Sequence, residues 1–276
     1  MEALFTNDNN VVIKLPSKHK FNDMFMRRNS HEVLFRQIHS YMIRDKLIKN
    51  NLIDLGAWIG DNTLPWAKQI AGKIYAIDPS PDNIEYIIKL SNINQIDNII
   101  TIQKPISDCN ETLYTNDDIN HCSFVEGKGN KQLQAVSLDY LCKTNLIENI
   151  GYIHLDVEML EFKVIRGAYD LIFKYKPIIS FEQHLDKEDY ISLCSYLNSL
   201  GYNIYLINEV LPGCNYDCRN LLAFPKDNDI SKKINEYFGK SVLLSVSYAS
   251  EIGKIRLKIV LNSVSLKKYP LLQKLR

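Results

Sequence analysis

The chain has 276 residues, 46% of them hydrophobic and 24% charged, and a formal net charge of +1; this suits one large globular domain with appendages and excludes disordered, collagenous and disulfide-stapled classes. No uninterrupted apolar run reaches the ~18 residues of a membrane span, and Met1–Asp8 has neither the basic start nor the apolar stretch of a signal peptide. The expectation is a soluble, cytoplasmic protein.

Charge is unevenly spread. Counting Lys and Arg against Asp and Glu gives nine against five over 1–50, thirteen against twenty-three over 51–225, and eleven against four over 226–276. An acidic centre suits a cationic ligand, whereas the basic tail suits an anionic substrate, a nucleic acid, an acidic partner or plain solvent. The six cysteines (109, 122, 142, 194, 214, 218) form no Cys-x-x-Cys pair, so reduced, mostly buried thiols are expected. A zinc site of Cys214, Cys218 and His184 is the lesser reading.

In chain order, Leu34, Ile38, Met42 and Leu47 predict a helix over 31–49. Strand 51–55 then leads to a helix near 62–71, strand 73–78 to a helix near 82–94, and strand 98–103 to an irregular stretch. Residues 116–131, rich in Asn, Asp, Gly and Lys, read as a mobile loop. Strand 151–156 precedes one helix carrying Leu160, Val164, Ile165, Ala168, Leu171 and Ile172. Strand 177–182, a helix marked by Tyr190, Leu193, Cys194, Leu197 and Leu200, and strands 202–207 and 220–224 complete the alternation, which predicts a mainly parallel sheet with helices on both faces. After Pro225 the pattern changes, and Ile255–Ile259 alternates with period two. The expected division is a helical extension (1–50), a core domain (51–225) and a basic appendage (226–276).

Four strands end in an acid: Asp54, Asp78, Asp156 and Glu182. Ligands of open parallel sheets bind beyond those ends, and carboxylates there call for water, a ligand or a metal. Between the first two lies the turn Gly56-Ala57-Trp58-Ile59-Gly60-Asp61-Asn62, which lacks the middle glycine of a dinucleotide phosphate cradle. S-adenosylmethionine has no phosphate and carries a sulfonium cation. Asp54 and Asp61 suit its cationic end, the helix start near Asn62 its carboxylate, and Asp78 both ribose hydroxyls. The blander alternative is a tight strand-to-helix turn with Asp61 as a cap. Glu158 reads equally as a favourable charge at a helix start, and His184 as a base or a surface histidine.

Asp54–Thr63, Asp78–Asn83, Val136–Leu141, Leu155–Glu161 with Val164–Ala168, and Pro177–Glu182 occur in an order and spacing that resembles the FkbM-type methyltransferases, over about residues 50–225. The resemblance implies a Rossmann-like class I methyltransferase sheet of about seven strands, S-adenosyl-L-methionine over the first of them, and methylation of a hydroxyl on a sugar, glycan or other small metabolite. Its implied cofactor contacts are Asp54, Gly56, Ala57, Trp58, Gly60, Asp61, Asn62, Asp78, Pro79, Ser80, Ser107 and Asp156; its acceptor side is Asp156, Glu158, Glu182 and His184. A variant places Mg2+ at Asp156 and Glu182. Two departures stand out: Trp58 in a turn that is usually free of aromatics, and Met159 where glycine usually follows Asp-Val-Glu. A nucleic-acid methyltransferase and a non-catalytic cofactor-binding scaffold are the rivals, and a homodimer is compatible with the chain.

Overall fold

The computed structural model describes residues 2–6, 11–16, 32–115, 124–125, 129–157, 159–184, 190–209, 218–251 and 254–259. A hairpin of β1 (Glu2–Thr6) and β2 (Val12–Pro16) precedes α1 (Val33–Arg44), and β3 (Asn51–Leu55), α2 (Thr63–Ala67), β4 (Ile74–Ile77), α3 (Pro81–Asn94) and β5 (Ile99–Ile102) then alternate. Next come β6 (Glu111–Thr115), β7 (Phe124–Val125), β8 (Lys131–Ala135), α4 (Leu138–Lys143) and β9 (Ile150–Leu155). The chain continues through α5 (Glu161–Arg166), α6 (Tyr169–Tyr175), β10 (Ile178–His184), α7 (Tyr190–Ser199), β11 (Tyr202–Ile207), β12 (Cys218–Pro225), α8 (Ile230–Phe238), β13 (Leu243–Glu251) and β14 (Lys254–Ile259).

The main sheet has nine strands in the order β14-β13-β11-β12-β10-β9-β3-β4-β5. The five from β5 to β10 are parallel, and β12 runs antiparallel to both β10 and β11. From β3 the chain moves outward to β4 and β5, then returns to the other side of β3 as β9. This reversal opens a crevice at the C-terminal ends of β3 and β9, where open α/β sheets bind ligands.

Alternation along the strands divides the core into two layers. Leu52, Tyr152, Ile178, Leu222 and Phe224 pack with Phe35, Ile38 and Met42 of α1. Ile53, Leu55, Ile153, Leu155, Ile179 and Phe181 pack with Leu138, Val164, Leu171 and Leu193 on the opposite face. With both faces covered, the central strands are apolar at nearly every position, so they carry no clean period-two signal. Ser80 starts α3: its side chain accepts from the Asn83 amide at 3.3 Å, and Pro81 fills the first turn.

Several expectations are corrected. The single helix drawn through 160–172 is two, α5 and α6, broken at Gly167, where a Cβ would lie 2.3 Å from the Ser107 carbonyl oxygen. The helix near 62–71 is only Thr63–Ala67. Within the stretch expected to be irregular, β6, β7 and β8 form a separate three-stranded sheet; the remainder of the loop, 116–123 and 126–128, lies outside the described residues. The segment after 225 is not separate from the core sheet: β13 pairs antiparallel with β11, and β14 with β13. β11 leaves an open edge on that side, and the apolar Leu243 and Leu244 complete it and join the two core layers. Cys109, Cys142 and Cys194 are free, as expected, and Cys194 is buried, but Cys109 is exposed and Cys218 is disulfide-bonded, contrary to the expectation of reduced, mostly buried thiols. Among the described residues no helix is long and apolar enough to cross a membrane.

Candidate cofactor and acceptor site

The turn after β3 is built by contacts across the reversal point. Gly56 has φ +76, and a Cβ on it would lie 1.8 Å from the backbone oxygen of Asp156. The Asp156 amide in turn donates to the Leu55 carbonyl at 3.0 Å. β3 and β9 therefore approach at a point where only glycine fits. The amides of Gly56 and Ala57 both donate to the Ile77 carbonyl, at 3.0 and 3.2 Å, and Gly60 donates to the Ala57 carbonyl at 2.8 Å. Trp58 adopts φ 45, a left-handed conformation uncommon for a bulky residue, and its amide donates to Asp78 Oδ2 at 2.9 Å.

Asp78 is buried and accepts two further bonds on Oδ1, from the Ser80 amide at 2.8 Å and Asn83 Nδ2 at 3.0 Å. A carboxylate has about four acceptor positions. Three are filled internally, by the Trp58 and Ser80 amides and Asn83 Nδ2. Burial pushes its pKa up to about 6 against the opposing pull of these bonds.

Asp54 is buried as well. It accepts the Thr63 hydroxyl on Oδ2, and its Oδ1 has no hydrogen-bond partner. Burial first, then the nearby charges of Asp61 and Asp78, raise its pKa to about 7 despite the Thr63 bond. Asp61 and Asn62 are half-buried in the turn; Asn62, not Asp61, holds the N-cap position of α2, and its side chain makes no capping bond. Pro79 is half-buried beside the fully buried Ser80. Ser107 is fully buried, its hydroxyl donating to Glu111.

On the acceptor side, Asp156 is exposed just past β9, and Glu182 is half-buried on β10. Phe181 pairs with Leu155, so Asp156 and Glu182 are the next residues on neighbouring strands. Glu182 lies opposite Asn220, and His184 opposite Cys218; the disulfide at Cys218 takes its thiolate away from any zinc site with His184. Glu158 and Cys214 lie outside the described residues. The described residues that could group around a metal are Asp108, Cys109 and Glu111, where Arg166 pairs with Asp108 and Lys163 with Glu111. Those cations already balance the acids, and the trio is distant in sequence from Asp156 and Glu182.

Thr63 and Asn83 are the contacts that sequence reading left without a role. Both sit inside the quoted motifs, as the last residues of Asp54–Thr63 and Asp78–Asn83, and their hydrogen-bonding side chains are the signal that could have found them. Met159 has φ 76 and is 58% exposed, the backbone conformation that suits the glycine usual at this position. Met159→Gly is expected to raise stability by no more than about 1 kcal/mol, because relief of left-handed strain is partly offset by glycine's freedom when unfolded. A urea titration checks this; a loss of stability would mean that the Met159 side chain makes contacts outweighing the strain.

A nine-stranded α/β sheet with a glycine turn at its reversal point and acids on successive strand ends defines a nucleoside-cofactor fold of the Rossmann-like class. The model of the methyltransferase FkbM domain matches residues 54–204, more than half of the chain, and the protein belongs to that family. Among solved structures it is similar to methyltransferase FkbM from Methylobacillus flagellatus KT (17% identity, 66% of this chain and 46% of that one, TM-score 0.49). It is also similar to the Pyrococcus abyssi tRNA (uracil-54, C5)-methyltransferase in complex with S-adenosyl-L-homocysteine (13%, 80% and 43%, 0.45) and to M. jannaschii TYW2 in complex with AdoMet (14%, 80% and 84%, 0.43). The chain thus spans less than half the length of the Methylobacillus protein. No curated protein matches it.

Proposed function

We propose that the protein is an S-adenosylmethionine-dependent O-methyltransferase whose acceptor is a hydroxyl of a sugar, glycan or related small metabolite. The observation that carries this reading is the state of the turn amides: those of Gly56, Ala57, Trp58 and Gly60 are all engaged within the protein. With those four amides spent, the glycine end of the turn offers no nest for a pyrophosphate. It presents carboxylates instead, and the buried, unpartnered Oδ1 of Asp54, the exposed Asp156 and the remaining acceptor position of Asp78 fit a cationic ligand with a ribose. Membership of the FkbM family supports the same choice.

When bound, S-adenosylmethionine supplies an electrophilic methyl on a sulfonium. The chain's part is positioning and proton removal. In this reading Asp78 orients the ribose, Asp156 holds the ligand's amino group or the acceptor, and Glu182 takes the acceptor's hydroxyl proton, with Glu158 and His184 as the alternative bases. Mg2+ at Asp156 and Glu182 remains a variant that EDTA tests: retained turnover removes it.

The deciding experiment has two parts. Calorimetric titration is expected to detect S-adenosylhomocysteine and not NAD; the reverse result overturns the cofactor assignment. Methyl-labelled S-adenosylmethionine is then incubated with fractionated glycans, lipids, small metabolites and nucleic acids from the native source. Label is expected in a hydroxylated small molecule or glycan, and to be lost with Asp156→Ala. Label confined to RNA or DNA rejects this acceptor class, and binding without transfer to any fraction leaves a scaffold protein.

A further inference from the structure

The end of β10 carries a polar corner outside the glycine turn and the Asp78 loop. Glu182 stands directly opposite Asn220 of β12, so the two side chains share a face, with their Cβ atoms about 4.5–5.5 Å apart. It is the face covered by α1, because Leu222 and Phe224 follow Asn220 at two-residue steps and pack with Phe35 and Ile38. Asn220 is only 3% exposed. Its Nδ2 donates to Glu32 Oε1 at 2.8 Å, which assigns the two ends of the amide. The Oδ1 is left without a partner.

This corner is held rigidly. The Glu209 carboxylate accepts the Leu34 and Phe35 amides at 3.0 and 3.1 Å, and Arg219 Nη1 donates to the Glu209 carbonyl at 2.8 Å. Packing does not call for an amide at 220, since an apolar residue would continue the row of Leu222 and Phe224. A buried amide that commits its donor and leaves its acceptor unpartnered calls for a donor that the protein itself does not supply. Glu32 is engaged by Asn220 and Glu209 by the helix amides, so the unpartnered atom is a neutral carbonyl oxygen, matched to a neutral hydroxyl.

We infer that Asn220 is a specificity-determining residue for the acceptor, its Oδ1 accepting a hydrogen bond from a hydroxyl adjacent to the one that Glu182 deprotonates. The acceptor is then a vicinal diol or polyol rather than an isolated alcohol, and Glu32 is a positioning residue that orients the amide. The inference rests on the methyl-transfer reading above.

Its test uses the full chain and the acceptor fraction that the wild type labels, untreated and after periodate cleavage with borohydride reduction, which destroys vicinal diols. Periodate treatment is expected to abolish labelling. Asn220→Leu is expected to raise the acceptor KM about tenfold while the dissociation constant for S-adenosylhomocysteine stays within about twofold. Glu32→Ala, which lets the amide turn, is expected to raise the acceptor KM in the same direction, and Glu32→Gln to restore most of the loss. Full labelling after periodate, or an unchanged acceptor KM in a folded Asn220→Leu, overturns the inference and leaves methyl transfer standing. Should Asn220→Leu not fold, the Glu32 pair decides: equal KM values for Ala and Gln overturn it. A wild type that labels no fraction defeats the methyl-transfer reading first, and this inference with it.

Discussion

Gly56→Ala is expected to be the most damaging single methyl that can be added at the site, costing about 4 kcal/mol or more. The new Cβ would lie 1.8 Å from a backbone oxygen, that of Asp156, and backbone cannot rotate aside as a side chain can. Positive φ adds its own strain of about 1–2 kcal/mol. Relief requires β3 and β9 to separate, which breaks the Asp156 amide bond to Leu55 and moves the two strand ends that frame the crevice. Two other glycines calibrate the claim. Gly60 has φ +82, but its Cβ would meet only the side chains of Ile87 and Leu64, at 3.2 and 3.3 Å; alanine there is expected to cost about 1–2 kcal/mol. Gly201 has φ +88 with nothing within 4 Å, and should show the cost of strain alone, about 1 kcal/mol. Urea midpoints of the three variants test the ranking. A Gly56→Ala midpoint no lower than that of Gly201→Ala would mean that the close approach of β3 to β9 is not real.

Asp54→Asn is expected to stabilise the protein at alkaline pH while weakening cofactor binding. The folded-state pKa of Asp54, about 7, lies above its ordinary value of 3.8. The folded protein therefore holds a proton that the unfolded chain releases, and stability falls as pH rises through that window, levelling off above about pH 7. Asparagine keeps an acceptor for Thr63 and carries no charge to bury. Its advantage over wild type should grow by about 2–3 kcal/mol between pH 5 and pH 8. Histidines act in the opposite direction. Burial lowers the pKa of His154 to about 4 and that of His39 well below its ordinary value, so their contribution is present above pH 6.5 and is lost as pH falls. The variant's stability should thus rise with pH where the wild type's is nearly flat. Thermal melts across pH, with calorimetry using S-adenosylhomocysteine, measure both effects. An advantage independent of pH would show that Asp54 is not a buried acid, and unchanged affinity would remove it from the cofactor site.

The alternation of strands and helices was legible because it is a local property: apolar runs such as Asn51–Leu55 and Ile74–Ile77 are bounded by glycine, proline and polar residues within a few positions. The Ser80 cap followed by Pro81 was similarly readable. The strand pair β6–β8 was not, because Glu111–Thr115 and Lys131–Ala135 are short and polar and gain their identity from pairing with each other. The break between α5 and α6 was hidden for a related reason: the apolar stripe continues through it, and only the Ser107 backbone pressed against Gly167 reveals why the chain turns there. After Pro225 the basic tail reads as an appendage, since charge and period speak for one segment at a time. The open edge of β11 that receives β13 belongs to the sheet as a whole.

The glycine turn, the acids at or near the ends of four strands and the missing phosphate glycine are determined by the sequence itself, since each depends on a few consecutive residues. Tertiary structure decided what those groups are able to do. Asp54 and Asp78 stand at strand ends in the sequence, but the packed turn buries both, gives Asp78 three internal donors and leaves Asp54 with a buried oxygen that has no partner. The approach of Gly56 to Asp156 and the bond from Asn220 to Glu32 join residues far apart in the chain. Burial and proximity of this kind follow from strand register and sheet order, which no local stretch of sequence encodes.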